Sequence, residues 1–160
     1  MGMNILHVLS GDFVTGAETS TAALIRRQIA AGHKVFVAAG RFDHPVGAEV
    51  IPIPIYNRSF TRRFLNILAL RRLVRKEKID LVHAHSRAAS WVCYWACGSS
   101  QTPYLSTLHG RQHLHFSNRW FNIYGPRVLT MCENIREQML SQTQAFRQEQ
   151  LIVFRNGLNL

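Results

Sequence analysis

The sequence is poor in acidic residues and in cysteine, and it contains no long hydrophobic run. Three cysteines, an odd number in 160 residues, do not make the disulfide framework of a small secreted domain. The longest apolar stretches fall far short of the roughly 20 residues that span a bilayer, and no secretory hydrophobic segment follows the first residues. We therefore expect a cytoplasmic protein that is held together by a hydrophobic core.

The shortage of acidic residues leaves a large positive charge. Nine Asp and Glu residues stand against 19 Lys and Arg residues, which gives a formal net charge of +10. Such a balance predicts an anionic partner: a nucleic acid, an acidic membrane surface or a phosphorylated substrate. The residue order of RNA-binding motifs is missing, and so is a helix-turn-helix pattern. The preferred interpretation therefore has no nucleic acid among the partners.

A glycine-bearing turn follows the first predicted strand. Gly11 and Gly16 have the spacing of an ATP-binding phosphate loop, but Ala17 and Glu18 stand where that loop needs lysine and a hydroxyl residue. This departure argues against nucleotide triphosphate hydrolysis. Thr15 and Glu18 fit a capping box, which explains the carboxylate of Glu18 without a role as catalytic base. The unpaired amides of such a helix start favour a phosphate or carboxylate ligand.

Short apolar runs alternate with helical patterns along the whole chain. This rhythm predicts an α/β, Rossmann-like fold, in which a mostly parallel sheet carries helices on both faces. We expect one domain over residues 3–160, with prolines 52 and 54 marking an edge strand. Strands are predicted over residues 4–9, 34–40, 49–55, 79–85, 103–108, 127–131 and 151–154. Helices are predicted from the glycine turn to Gly32 and over residues 61–78, 86–96, 120–124 and 133–141.

Polar and cationic residues follow three of the predicted strands. Because the carboxyl ends of parallel strands meet at one edge of a sheet, these residues are expected to line a common cleft. Such a cleft suits hydroxyls and phosphates. Its predicted residues are the turn residues Gly11, Thr15, Gly16, Ala17 and Glu18, and a rim of His85, Ser86, Arg87, His109, Gly110 and Arg111.

Two other groups of residues leave alternatives open. Cys93 and Cys97 with His109 and His113 have a spacing close to that of a zinc finger, but the cysteines lie in an apolar helix typical of a core. We expect no metal, and the alternative function is a basic anion-binding module, either a nucleic-acid-binding protein or a zinc-binding protein, without enzymatic activity. A basic helix favours an acidic membrane surface or a phosphorylated lipid. The basic residues of this helix are Arg62, Arg63, Arg71, Arg72, Arg75 and Lys76.

Seven segments, taken in order, resemble the N-terminal domain of retaining glycosyltransferases with the GT-B fold (glycosyltransferase family 4-like). They are MNILHVLS, GAE, AAGHKVFVA, IDLVHAHS, TPYLSTLHG, VLTMCENIREQM and LIVFRNGLN. The resemblance implies an acceptor-binding half of a two-domain enzyme of glycan synthesis (lipopolysaccharide or polysaccharide). The donor is then a nucleotide-diphosphate sugar of the hexose type, the acceptor is a glycan or a lipid-linked molecule, and no cofactor is tightly bound.

The same resemblance assigns roles to single residues. His109 would contact the transferred sugar, Gly16 would lie near the donor diphosphate, and Arg87 would face acceptor or phosphate. Thr15 and Arg155 stand where the family usually has glycine and proline. We further expect the nucleotide-binding domain to be missing from these residues, which leaves little or no transferase activity. The uncovered interdomain face favours self-association, and peripheral binding at the inner face of the cytoplasmic membrane is expected.

Overall fold

Seven strands of the described part of the chain form one parallel sheet. A computed structural model describes residues 2–11, 16–44, 46–56, 59–98, 100–111 and 121–154. The strands are β1 (Asn4–Val8), β2 (Lys34–Ala39), β3 (Glu49–Pro52), β4 (Leu81–Ala84), β5 (Tyr104–Leu108), β6 (Val128–Thr130) and β7 (Leu151–Val153). They lie in the order β3-β2-β1-β4-β5-β6-β7, and every neighbouring pair is parallel. The predicted fold class is confirmed.

Helices cover both faces of the sheet, because its central strands are apolar on both sides. The helices are α1 (Gly16–Ala30), α2 (Phe60–Lys76), α3 (Arg87–Cys97) and α4 (Glu133–Gln142), with a 3-10 turn at Gln148–Gln150. On one face, Ile25 of α1 packs with Val35 and Val37 of β2. On the other face, Leu70 of α2 and Val92 of α3 share a core cluster with the central strands. A third cluster surrounds α4, next to β6 and β7.

The predicted elements differ from the observed ones mainly at their ends. The third strand ends at Pro52 rather than at residue 55, although its predicted place at the sheet edge is confirmed. The fourth strand covers Leu81–Ala84 instead of residues 79–85. The short helix predicted over residues 120–124 is wrong for its described part, 121–124. There the side chain of Asn122 accepts from the Tyr124 amide and donates to the Gly125 carbonyl, and so competes with helical hydrogen bonds.

Within the described ranges, no helix is both long enough and apolar enough to cross a bilayer.

Candidate functional site

The strand order reverses in the middle of the sheet, between β1 and β4. From β1 the chain continues through α1 to β2 on one side, whereas β4 and β5 extend the sheet on the other. In open parallel sheets, ligands bind in the crevice beyond the carboxyl ends of the strands at such a reversal. The predicted polar segments follow β1, β4 and β5, so all three lie at this crevice.

The structure brings the predicted histidines and the start of α1 together. Nδ1 of His85 lies 3.3 Å from Nε2 of His109. The hydroxyl of Thr21, in α1, lies 3.1 Å from the same nitrogen of His85. That hydroxyl also donates to the carbonyl of Ala17 at 2.7 Å. A continuous series of contacts therefore joins the first turn of α1 to the residues that follow β4 and β5.

The first turn of α1 begins at Gly16, as the capping pattern predicts. Gly16 is exposed, Ala17 is half-buried and Glu18 is buried, while Gly11 is half-buried on the strand side of the turn. Thr15 lies outside the described residues, so the predicted capping box stays a prediction. Because α1 follows β1 directly, its amino end and its positive dipole end face the crevice.

The remaining rim residues fall into a capping group and an exposed group. The hydroxyl of Ser86 accepts from the Ala89 amide at 3.1 Å and so caps the start of α3. Arg87 is the first residue of that helix and is half-buried, whereas Gly110 and Arg111 are exposed just beyond β5. These residues place two arginines at the crevice.

His85 is not on the rim, which corrects the prediction. Its side chain is buried, because it lies two residues after His83, on the same face of the sheet, and α1 covers that face. The contact of His85 with the crevice runs through His109.

Four further residues, all buried or half-buried, extend this contact and are not among the predicted site residues. They are Gln28 of α1, His7 of β1, His83 of β4 and Thr107 of β5. Nδ1 of His7 lies 2.8 Å from Nε2 of His85, and Nε2 of His7 lies 2.7 Å from Oε1 of Gln28. Nε2 of His83 lies 2.7 Å from the hydroxyl of Thr107. Two of these histidines, His83 and His85, stand two positions apart at the end of an apolar run, whereas His7 is the one histidine of β1. We call His7, His83, His85 and His109 the histidine cluster.

Burial keeps the histidine cluster uncharged at neutral pH. Loss of hydration lowers the pKa of His7 to about 4, against which its hydrogen bond with Gln28 acts weakly. Burial, followed by repulsion from the neighbouring imidazoles, holds the pKa values of His83 and His85 well below the ordinary value, and burial also lowers the pKa of His109. The positive charge at these strand ends is therefore carried by Arg87 and Arg111.

Three members of the cluster also have the composition of a metal site. His7, His83 and His85 can each offer one ring nitrogen, and these nitrogens lie within 4.8 Å of one another. However, the 2.8 Å between His7 Nδ1 and His85 Nε2 is shorter than the roughly 3.3 Å between two ligands of a tetrahedral zinc ion. That distance fits a hydrogen bond that holds one shared proton.

The described residues of the alternative zinc site, Cys93, Cys97 and His109, do not lie together. Cys93 and Cys97 are buried in the core between α3 and the sheet, where burial raises the pKa of both thiols. His109 instead contacts the histidine cluster on the α1 side of the sheet. His113 lies outside the described residues.

The predicted basic helix is α2, and its six basic residues do not behave alike. Arg62, Arg72, Arg75 and Lys76 are exposed. By contrast, Nη2 of Arg71 donates to the Trp95 carbonyl at 2.7 Å, and the guanidinium of Arg63 stacks over the Trp91 ring at 5.7 Å. Arg63 and Arg71 thus pack α2 against α3.

The model of one protein family covers most of the chain. The model described as Glycosyltransferase Family 4 matches residues 14–160. The chain belongs to this family. A search of the curated proteins finds no match to the sequence. Solved structures supply the remaining comparisons.

These structures share the fold at low sequence identity. A glycosyltransferase from Rickettsia africae superposes with a TM-score of 0.81 at 19% identity, over 96% of this chain and 43% of that one. Anabaena HepE, in complex with UDP and glucose, superposes with a TM-score of 0.75 at 19% identity, over 98% of this chain and 45% of HepE. The UDP-GlcNAc 2-epimerase of Neisseria meningitidis, bound to UDP-GlcNAc, superposes with a TM-score of 0.64 at 16% identity, over 94% of this chain and 46% of the epimerase.

The glycosyltransferase neighbours identify the architecture as the N-terminal Rossmann-like domain of a GT-B fold. The chain spans less than half the length of each of the three proteins compared.

Proposed function

We propose that this chain is the acceptor-side half of a transferase that moves a hexose-type sugar from a nucleotide-diphosphate sugar to a glycan or lipid-linked acceptor. The observation that carries the proposal is the meeting of α1, β4 and β5 at one crevice, through Thr21, His85 and His109. Family membership supports the reaction class. The Anabaena neighbour, in complex with UDP and glucose, supports a nucleotide-sugar as donor.

The crevice offers two kinds of contact to such a donor. The amides in the first turn of α1, around Gly16 and Ala17, and the nearby arginines Arg87 and Arg111 suit the diphosphate. His109 lies on the neighbouring strand end and suits a hydroxyl of the sugar, because its imidazole is uncharged. Gly11 and Thr15 belong to the sequence segment that leads into this helix, and Glu18 lies in its first turn.

The mechanism we propose is positioning with charge stabilisation, without a covalent nucleophile on the protein. The bond from the sugar to the diphosphate breaks toward an oxocarbenium-like state, and the departing diphosphate takes the proton of the acceptor hydroxyl on the same face. The configuration of the sugar is then retained. The residues at the crevice hold donor and acceptor in reacting geometry and balance the charge of the leaving group.

Activity in this proposal requires a second domain that holds most of the nucleotide. The three structural neighbours are more than twice the length of this chain. We therefore propose that further sequence or a separate chain supplies that domain, and that these 160 residues alone transfer little or no sugar. Self-association through the uncovered crevice stays a prediction.

A transfer assay tests the proposal. The protein, assembled with its second domain, is supplied with a panel of UDP-sugars and oligosaccharide or lipid-linked acceptors, and the products are followed by NMR. We expect a glycoside with the same anomeric configuration as the donor, and no product from the chain alone. An inverted product would overturn retention. A donor whose sugar is epimerised, with no transfer, would favour the chemistry of the epimerase neighbour instead.

We also propose that the amino-terminal half of α2 binds an anionic membrane surface. Phe60, Phe64 and Leu65 are 83%, 61% and 60% exposed and form an apolar patch, which we call the α2 patch. The exposed Arg62 precedes Phe64, and Arg72 lies further along the same helix. Aromatic side chains beside arginines are typical of helices that lie in the membrane interface, where each basic residue contributes about 1 kcal/mol.

Vesicle sedimentation tests this surface. The double variant Phe60→Ser with Phe64→Ser is expected to weaken binding to phosphatidylserine vesicles about tenfold or more, because burial of one phenylalanine stabilises by about 1.5–3 kcal/mol. Phe154→Ser, which changes a phenylalanine that is 49% exposed beyond β7, is the matched control and should bind normally. Equal binding to neutral vesicles, or an unchanged double variant, would contradict the proposal.

A further inference from the structure

A series of hydrogen bonds runs from the surface of α1 through the interior to the crevice. It begins at Oε1 of Gln28, passes through the rings of His7 and His85, and ends at Nε2 of His109, with distances of 2.7, 2.8 and 3.3 Å. We propose that this series fixes His109 as the neutral Nε2–H tautomer, so that its Nδ1 accepts a hydrogen bond from a sugar hydroxyl. The inference rests on the proposed function only for the identity of that ligand.

The acceptor at the start of the series, the amide oxygen of Gln28, fixes which atom donates in each of the following hydrogen bonds. The amide oxygen of Gln28 can only accept, so Nε2 of His7 carries the proton of that ring. Nδ1 of a neutral His7 is then an acceptor, and the proton shared with His85 belongs to Nε2 of His85. Nδ1 of His85 is an acceptor for the same reason. Nε2 of His109 faces that acceptor and must carry its own proton, since two lone pairs would otherwise oppose each other.

Thr21 does not change this assignment. Its hydroxyl donates its single proton to the carbonyl oxygen of Ala17 at 2.7 Å and lies farther, 3.1 Å, from Nδ1 of His85. The one lone pair of Nδ1 of His85 is therefore left to accept from Nε2 of His109. His83 lies outside the series, since its Nε2 bonds to Thr107.

The series ends in a nitrogen that suits one class of ligand group. Within the described part of the chain, Nδ1 of His109 has no hydrogen-bond partner, and the residue is half-buried at the crevice. A neutral imidazole with a lone pair on that atom accepts from hydroxyl donors. It gains nothing from the diphosphate of a nucleotide sugar, whose oxygens carry no proton at neutral pH and therefore only accept. We therefore assign Gln28, His7 and His85 as positioning residues that let His109 select a hydroxyl of the sugar.

The tautomers are measured directly by 15N NMR of histidine-labelled chain, without ligand. We expect His7, His85 and His109 each to carry the proton on Nε2, with the other tautomer of His109 lower by about tenfold or more. A proton on Nδ1 of His109, or an even mixture, would overturn the proposal. Because no donor is present, this result is independent of whether the protein transfers sugar.

Variants at the anchor test the direction of the series. Gln28→Glu keeps an acceptor and is expected to leave the tautomer of His109 unchanged, whereas Gln28→Met removes the acceptor and should yield a mixture. Gln144→Met, at an exposed position outside the sheet, is the matched control and should behave as the wild type. A Gln28→Met protein that keeps a single His109 tautomer would overturn the role of Gln28.

The ligand class is tested on the protein assembled with its second domain. Addition of UDP-glucose is expected to shift the Nδ1 resonance of His109, and inorganic sulfate, whose oxygens only accept at neutral pH, is expected to leave it in place. A shift with sulfate, or no shift with either, would overturn the assignment of a sugar hydroxyl to this nitrogen. The tautomers of the free chain would then still stand, so the two failures are distinguishable.

Discussion

The stability of the protein is expected to fall steeply as the pH drops from about 6.5 toward 4. An unfolded histidine has a pKa near 6.5, whereas burial holds the pKa of His7 at about 4 and those of His83 and His85 well below the ordinary value. Below pH 6.5 the unfolded chain therefore binds protons that the folded chain does not, and the free energy of unfolding decreases. Above pH 6.5 both states are neutral, so these histidines add no pH dependence there.

The size of this loss follows from the pKa difference. At about 1.36 kcal/mol for each pKa unit, His7 alone removes about 2 kcal/mol by pH 5 and about 3 kcal/mol by pH 4. His83 and His85 add to the loss in the same direction. Since a typical domain is stable by about 5–15 kcal/mol, the protein should unfold in mild acid.

Urea unfolding at about pH 7.5, 6.5 and 5 measures this loss. His7→Asn removes one of the titrating groups, and we expect its free energy of unfolding to fall less between pH 6.5 and 5 than that of the wild type. Gln144→Asn, which changes an exposed side chain that does not titrate, is the control and should keep the wild-type slope. A free energy of unfolding that stays flat over this range would contradict the buried, neutral histidine cluster.

The sheet could be predicted from the sequence because its signal is local. Central parallel strands such as β1 and β2 are continuous apolar runs, and each is followed by a turn and a helical pattern. The ends of the elements depend on more than the local pattern. The strand β3 ends at Pro52, and the side chain of Asn122 accepts from the Tyr124 amide where a helix was predicted.

The histidine cluster could be predicted only in part. The positions of His85 and His109 after strands indicate that both lie at the carboxyl edge, and their contact agrees with that expectation. The cluster also needs His7 beside His83, a register between strands that are about 76 residues apart in the chain. No local pattern specifies that register. A single histidine inside an apolar strand therefore gave no indication that it supports the site.

The exposure of the basic residues of α2 could also be predicted only in part. Charge and periodicity predict an exposed basic face, and four of its six basic residues are indeed exposed. Arg63 and Arg71 bind to α3 instead, because Trp91 and the Trp95 carbonyl lie against α2. The packing of two helices against one another decides which cations stay available to an anionic partner.

Replacement of His109 by alanine in the two-domain enzyme is expected to lower kcat about a hundredfold or more. The substitution removes the group that we assign to a hydroxyl of the transferred sugar, at the point where β4 and β5 meet α1. His109→Gln keeps an acceptor oxygen and should retain more activity than His109→Ala. His33→Ala, far from the carboxyl edge of the sheet, is the control and should turn over normally.

The kcat of His109→Ala for sugar transfer, set against that of His33→Ala in the same assay, tests most directly whether the transferred sugar binds at this edge of the sheet. We predict a loss of about a hundredfold for His109→Ala and a normal rate for His33→Ala. A near-normal rate for His109→Ala, in protein that is folded and carries its second domain, would contradict the account.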